Sequence, residues 1–139
     1  MKNSKMKCLI SGWGSMNEKG KYPINLLMVK VNLIPTSTCR LWGGFYLNKY
    51  KQCAGFEEGG IDSCQGDSGG PLVCKLDRSQ SNKLYFIFCK TLGYFGLLDN
   101  RFTLWGTTSY GRGCARPRRP GIYAKTVTIL SWIKRLIVH

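Results

Sequence analysis

One serine stands where its neighbours could make it a nucleophile. Ser68 lies in Gly66-Asp67-Ser68-Gly69-Gly70-Pro71-Leu72, a heptapeptide that begins two residues after Cys64. Acyl transfer by a serine needs an exposed hydroxyl, a base to take its proton, and donors aimed at the oxyanion of the tetrahedral intermediate. Gly66 lets the backbone turn so that its own N–H and that of Ser68 converge on one point, while Gly69 and Gly70 leave the hydroxyl open. The base is what the sequence does not offer nearby. The only histidine in 139 residues is His139, the last one, and it is not expected to serve. Taken alone, Gly-Asp-Ser-Gly is also an ordinary turn, since Asp, Ser and Gly all favour turns.

The cysteines are the second set of reactive side chains. Seven in so short a chain point to an oxidising compartment, where disulfides form and persist. Cys8, Cys39, Cys53, Cys64, Cys74 and Cys114 could form three bridges, and six cysteines permit 15 connectivities among which spacing does not choose. There is no CxxC pair and the lone histidine is terminal, so neither a metal site nor any other cofactor is expected.

The elements that must position these residues read as an all-β domain. Short apolar stretches separated by Gly, Pro, Asn and Ser give candidate strands at Lys7–Ser11, Leu26–Leu33, Lys51–Ala54, Pro71–Lys75, Lys83–Phe88, Phe102–Ser109 and Gly121–Lys125. A helical turn is expected near Thr36–Leu41. Val127, Leu130, Ile133 and Ile137 recur at helical spacing, widened by Ile129, Trp132 and Leu136, which predicts a terminal helix packed on the barrel. One domain is expected over 1–139, with an atypical insertion near 78–100.

No apolar run approaches the roughly 18 to 20 residues of a membrane span. The basic stretch Met1–Lys7 is followed by no apolar core, so no signal peptide is expected there. Net charge is +14, densest at Arg112, Arg116, Arg118 and Arg119. That run is either a solvated basic face or a site for an anionic partner such as a sulfated glycan, and no nucleic-acid motif accompanies it.

The wider pattern is specific. Ser11-Gly12-Trp13-Gly14 after Cys8, Cys53-Ala54-Gly55, Asp62 to Leu72, Ser109-Tyr110-Gly111, Gly113-Cys114 and Pro120-Gly121-Ile122-Tyr123, closed by Trp132-Ile133, resemble the trypsin-like serine proteases in the same order. The resemblance implies the second six-stranded antiparallel β-barrel of that two-barrel fold, with a C-terminal helix. It further implies bridges Cys8–Cys74, Cys39–Cys53 and Cys64–Cys114, leaving Cys89 over. Ser68 then matches the nucleophile, and the N–H groups of Gly66 and Ser68 the oxyanion hole. Asp62 matches the carboxylate that receives a Lys or Arg side chain, beside Ser63, with Gly111 and Gly121 keeping the pocket walls open and Ser109 to Gly111 offering backbone to an extended substrate. Asp67 matches the residue that pairs with a newly cleaved N-terminal amine.

The histidine and aspartate of such a site belong to the first barrel, which this sequence does not contain. The implied function is therefore a serine endopeptidase domain of Lys/Arg specificity, secreted or extracellular, and inactive as these residues alone. The alternative is a non-catalytic module that binds basic peptides or anionic glycans.

Overall fold

The computed structural model describes residues 6–43, 47–76 and 102–137. The expected strand Lys83–Phe88, the insertion near 78–100, Cys89 and His139 lie outside the described residues. Six strands are present among those described: β1 Met6–Gly12, β2 Leu27–Ile34, β3 Lys51–Gly55, β4 Pro71–Leu76, β5 Thr103–Tyr110 and β6 Gly121–Lys125. They close into one barrel in the order β1-β2-β3-β6-β5-β4, and every neighbouring pair is antiparallel. Closure leaves no free sheet edge, which is how a small all-β domain avoids templating other strands.

Alternation along the strands fills the barrel. Cys8 and Ile10 of β1 and Val31 of β2 point inward and meet Ala54, Leu72, Cys74 and Tyr123, with Val29, Leu33, Phe56 and Trp105 packed around them. A second cluster of Ile34, Cys39, Leu47, Cys53 and Ile122 seats the helix α1, Thr36–Gly43, under Trp42. Three disulfides join Cys8 to Cys74, Cys39 to Cys53 and Cys64 to Cys114. The first links directly opposed residues of β1 and β4, the second ties α1 to β3, and the third joins the two loops that carry the candidate site.

The terminal helix α2, Thr126–Ile137, forms as its periodicity predicts, with Lys134 and Arg135 in the last turn where the carbonyl ends favour cations. Its packing departs from expectation. α2 touches β5, yet none of its residues is buried. Val127, Leu130 and Ile133 are half-covered, whereas Ile129, Trp132, Leu136 and Ile137 face outward. A single barrel offers one contact line, so it covers the narrow stripe and leaves the widened one exposed.

β5 carries the irregularity that matters for the site. Thr108 is opposite Tyr123 and Tyr110 opposite Ile122, so Ser109 is an extra residue in β5, a bulge. Bulges bend a strand and re-aim side chains, and this one lies on the strand that borders Ser68.

Candidate active site

The segment from Cys64 to Gly70 is pinned on every side while Ser68 stays exposed. Asp67 N–H donates to the Cys64 carbonyl at 3.0 Å, and Gly70 N–H to the Asp67 carbonyl at 2.9 Å. The Gln65 carbonyl accepts from Ser15 N–H at 2.7 Å. Beyond the serine, Gly69 N–H donates to the Thr108 carbonyl and Thr108 N–H to the Gly70 carbonyl, which stitches the loop to β5. Gly66 and Gly69 take φ of 94° and 82°, a region that glycine enters without a Cβ penalty, so the turn at Ser68 depends on them.

Asp67 braces the loop from below. Its carboxylate accepts Gly14 N–H at 2.8 Å and Cys64 N–H at 2.9 Å. A Cβ on Gly12 or Gly14 would overlap that carboxylate, so the Gly12-Trp13-Gly14 spacing is what admits it.

Two cavities meet behind the loop. One, of about 210 Å³, is lined by Ser63, Ser68, Ser109, Tyr110, Gly111 and Gly121 among others. The other, of about 350 Å³, runs under Gly12 and Gly14 and contains both Asp62 and Asp67. Ser63, Cys64, Thr108 and Cys114 form the wall common to both. The structure thus brings Ser63, Ser68, Ser109, Gly111 and Gly121 around one space and sets Asp62 in the adjoining one. Contact between the two runs through Gly121, where an added Cβ would come within 2.6 Å of Asp62 Oδ1.

Asp62 is the electrostatic centre of this arrangement. Oδ1 accepts Ser63 N–H at 2.8 Å and Oδ2 accepts Ala115 N–H at 3.1 Å. Burial nevertheless outweighs these bonds and pushes its pKa from 3.8 up to about 6, with the nearby Asp67 charge adding to the rise. Beneath it, the Ser63 hydroxyl lies 3.0 Å from the Tyr123 hydroxyl, and burial holds the Tyr123 phenol well above its usual range.

These shifts set opposite pH dependences. A carboxyl whose folded pKa is raised contributes stability when protonated, and that contribution is lost as pH climbs from about 4 to about 6. For Asp62 the loss is roughly 3 kcal/mol. Glu18 is held down to about 2, first by its bond to Arg116 and then by Cys114 N–H, so its contribution is full above 4.5 and fades toward pH 2. Denaturant unfolding between pH 4 and pH 7 is expected to show a decline that the Asp62→Ala chain lacks.

Gly59 supports the same corner. It sits at φ 74°, and a Cβ there would overlap the Ala115 carbonyl oxygen and approach the Arg116 carbonyl carbon at 2.7 Å. Gly59→Ala is expected to destabilise the chain by about 1 to 3 kcal/mol, read as a lower denaturant midpoint.

The arginine cluster spends much of its capacity within the chain. Arg116 pairs with Glu18 at 2.7 Å, Arg118 pairs with Glu57 at 3.0 Å, and Arg119 donates to the Trp42 and Gly43 carbonyls. These bonds support reading the cluster as loop fastening. Glu18, Ala115 and Tyr123 are the site neighbours that the sequence does not announce. Glu18 stands in a turn-like Asn17-Glu18-Lys19-Gly20 stretch, and its partner is 98 residues away.

Among the described residues no group of three or more His, Cys, Asp or Glu could hold a metal ion. No described helix is long and apolar enough to cross a membrane.

A six-stranded antiparallel barrel with a terminal helix and a serine loop pinned to its fifth strand defines a class, and comparison with known proteins agrees with it. Residues 2–133 match the Trypsin family model, and the chain belongs to the trypsin family. It is 35% identical over 127 residues to Transmembrane protease serine 9 of Rattus norvegicus, an alignment covering 91% of this chain and 10% of that protein. The chain therefore spans about a tenth of that relative's length. Family membership together with three disulfides fits a secreted or extracellular setting.

Proposed function

We propose that these residues form the nucleophile-bearing C-terminal half of a serine endopeptidase domain that cuts after Lys or Arg. The observation that carries the reading is the shared cavity, in which Ser68 borders Ser63, Ser109, Gly111 and Gly121 with Asp62 half-buried next to it. In this reading a Lys or Arg side chain enters toward Asp62, and its charge offsets the cost of burying that carboxylate. The peptide runs along Ser109 to Gly111. Ser68 Oγ attacks the scissile carbonyl, and the N–H groups of Gly66 and Ser68 receive the oxyanion. The proton from Oγ needs a base, which together with its orienting carboxylate comes from a first barrel upstream. Without them the chain is nearly inert, since catalysis falls to what binding and the oxyanion hole supply, roughly 10³ to 10⁴ over water. The name of the rat relative, a serine protease, supports the same reading.

The test is the native protein, captured with an antibody against α2, weighed intact and treated with a fluorophosphonate. The expected mass exceeds 15.7 kDa by about a barrel, roughly 100 residues, with the label on Ser68. A native species of 15.7 kDa that takes no label would overturn the protease reading and leave a binding module.

A further inference from the structure

The wall between the two cavities, Gly113 to Ala115, is gripped at consecutive amides by two carboxylates. Ala115 N–H donates to Asp62 Oδ2 at 3.1 Å, and Cys114 N–H donates to Glu18 Oε1 at 2.8 Å. Glu18 also takes both ends of the Arg116 guanidinium fork, Nε on Oε1 and Nη2 on Oε2, each at 2.7 Å. The wall needs such holding. Ala115 sits at φ 56°, a left-handed conformation that a non-glycine residue adopts only at a cost. Gly113 is at φ 80°, and a Cβ there would overlap Glu18 Oε1, so the loop is shaped to admit this side chain. The Ala115 carbonyl accepts Gly60 N–H at 2.8 Å, which fixes the other side of the same residue.

Glu18 comes from the loop between β1 and β2, remote in sequence from everything it holds. Gly113 and Cys114 line the Ser68 cavity, and Cys114 and Ala115 line the one containing Asp62. We propose that Glu18 is a positioning residue of the specificity cavity: by fixing Cys114 and Arg116 it holds the Ala115 N–H on Asp62, and so sets the geometry and charge state in which Asp62 receives a cationic side chain. The inference rests on the reading of Asp62 as the substrate-binding carboxylate. The other groups facing Asp62 are the Asp67 carboxylate and the Tyr123 phenol, with the backbone N–H groups of Ser63 and Gly121 on the carboxylate, and none of them depends on Glu18 for a bond.

Binding of p-aminobenzamidine, an aryl amidine cation, tests this without needing a base. Its affinity for the full chain is measured by fluorescence from pH 4.5 to 8, for the unaltered protein, Glu18→Ala, Glu18→Gln and Asp62→Asn. Expected are binding by the unaltered chain with an acid limb near pH 6, and loss of binding in Asp62→Asn. Glu18→Ala should bind about 5- to 10-fold more weakly, a charge-assisted bond discounted for its exposure. Its acid limb should also move to higher pH, because a loosened Ala115 N–H no longer favours the ionised carboxylate. A purely structural loss would lower affinity or stability without moving that limb. Glu18→Gln keeps an acceptor for Cys114 N–H and should fall between, and it carries the test if Glu18→Ala does not fold. Equal affinity and an unmoved limb in the Glu18 variants, with the unaltered chain binding, would overturn this inference alone. No binding by the unaltered chain would overturn the reading of Asp62 beneath it.

Discussion

Ser68→Ala removes covalent labelling by a fluorophosphonate and lowers amide hydrolysis by the native protein roughly 10⁴- to 10⁶-fold, the scale seen when a serine nucleophile is deleted. The substitution tests chemistry and little else, because the loop is held by its backbone. The bonds that shape Cys64 to Gly70 run through Asp67, Gln65, Gly69, Gly70 and Thr108, and the Ser68 side chain is exposed. Stability is therefore expected to change by no more than about 0.5 kcal/mol. Affinity for an arginine-like ligand should stay near its original value, since in the proposed reading the cation goes to Asp62. Undiminished hydrolysis by the alanine protein would remove Ser68 from the mechanism. Loss of both stability and ligand binding would instead mean that the hydroxyl braces the loop.

The contrast between Ser68 and Glu18 shows what the sequence makes legible. Strands announce themselves by local pattern: β6 occupies Gly121–Lys125 as expected, and β1, β2, β3, β4 and β5 lie within a residue of their predicted bounds, because alternation and turn residues are short-range signals. The serine loop is equally local, with Gly66 and Gly69 at the positions that take positive φ. Its placement beside Ser63, Ser109, Gly111 and Gly121 came through the family resemblance, since those residues are scattered over three separate stretches of chain. Glu18 had no such help. Its role exists only when a loop from the first hairpin meets Arg116, and a lone Glu in a polar turn is ordinarily a solvated one. The terminal helix forms as expected, and only its coverage was not legible. Periodicity predicted an apolar face correctly, but how much of that face is covered depends on what lies against it, and here β5 covers a narrow stripe.

Asp62→Asn is the change expected to alter specificity most. In the native protein it should cut the preference for Lys or Arg over Phe or Leu before the cleaved bond by about 10² to 10⁴, the equivalent of about 3 to 5 kcal/mol for a buried charge pair that loses one partner. The size follows from the site's geometry. Burial has already raised the carboxyl pKa to about 6, so at neutral pH Asp62 is ionised at a cost that the backbone donors of Ser63, Ala115 and Gly121 only partly offset. A substrate cation supplies the missing compensation, and a neutral side chain does not. The same balance fixes the pH response: a histidine base gives every substrate a common acid limb, so it is the ratio of Lys or Arg cleavage to cleavage after neutral residues that should fall as pH drops through about 6. Asparagine keeps the volume and one acceptor, but it turns an amide N–H₂ toward an N–H that Asp62 had satisfied, so the variant should lose the selectivity and the pH dependence of that ratio together. If kcat/KM values for the two substrate classes keep their ratio in Asp62→Asn, the cation is being received elsewhere.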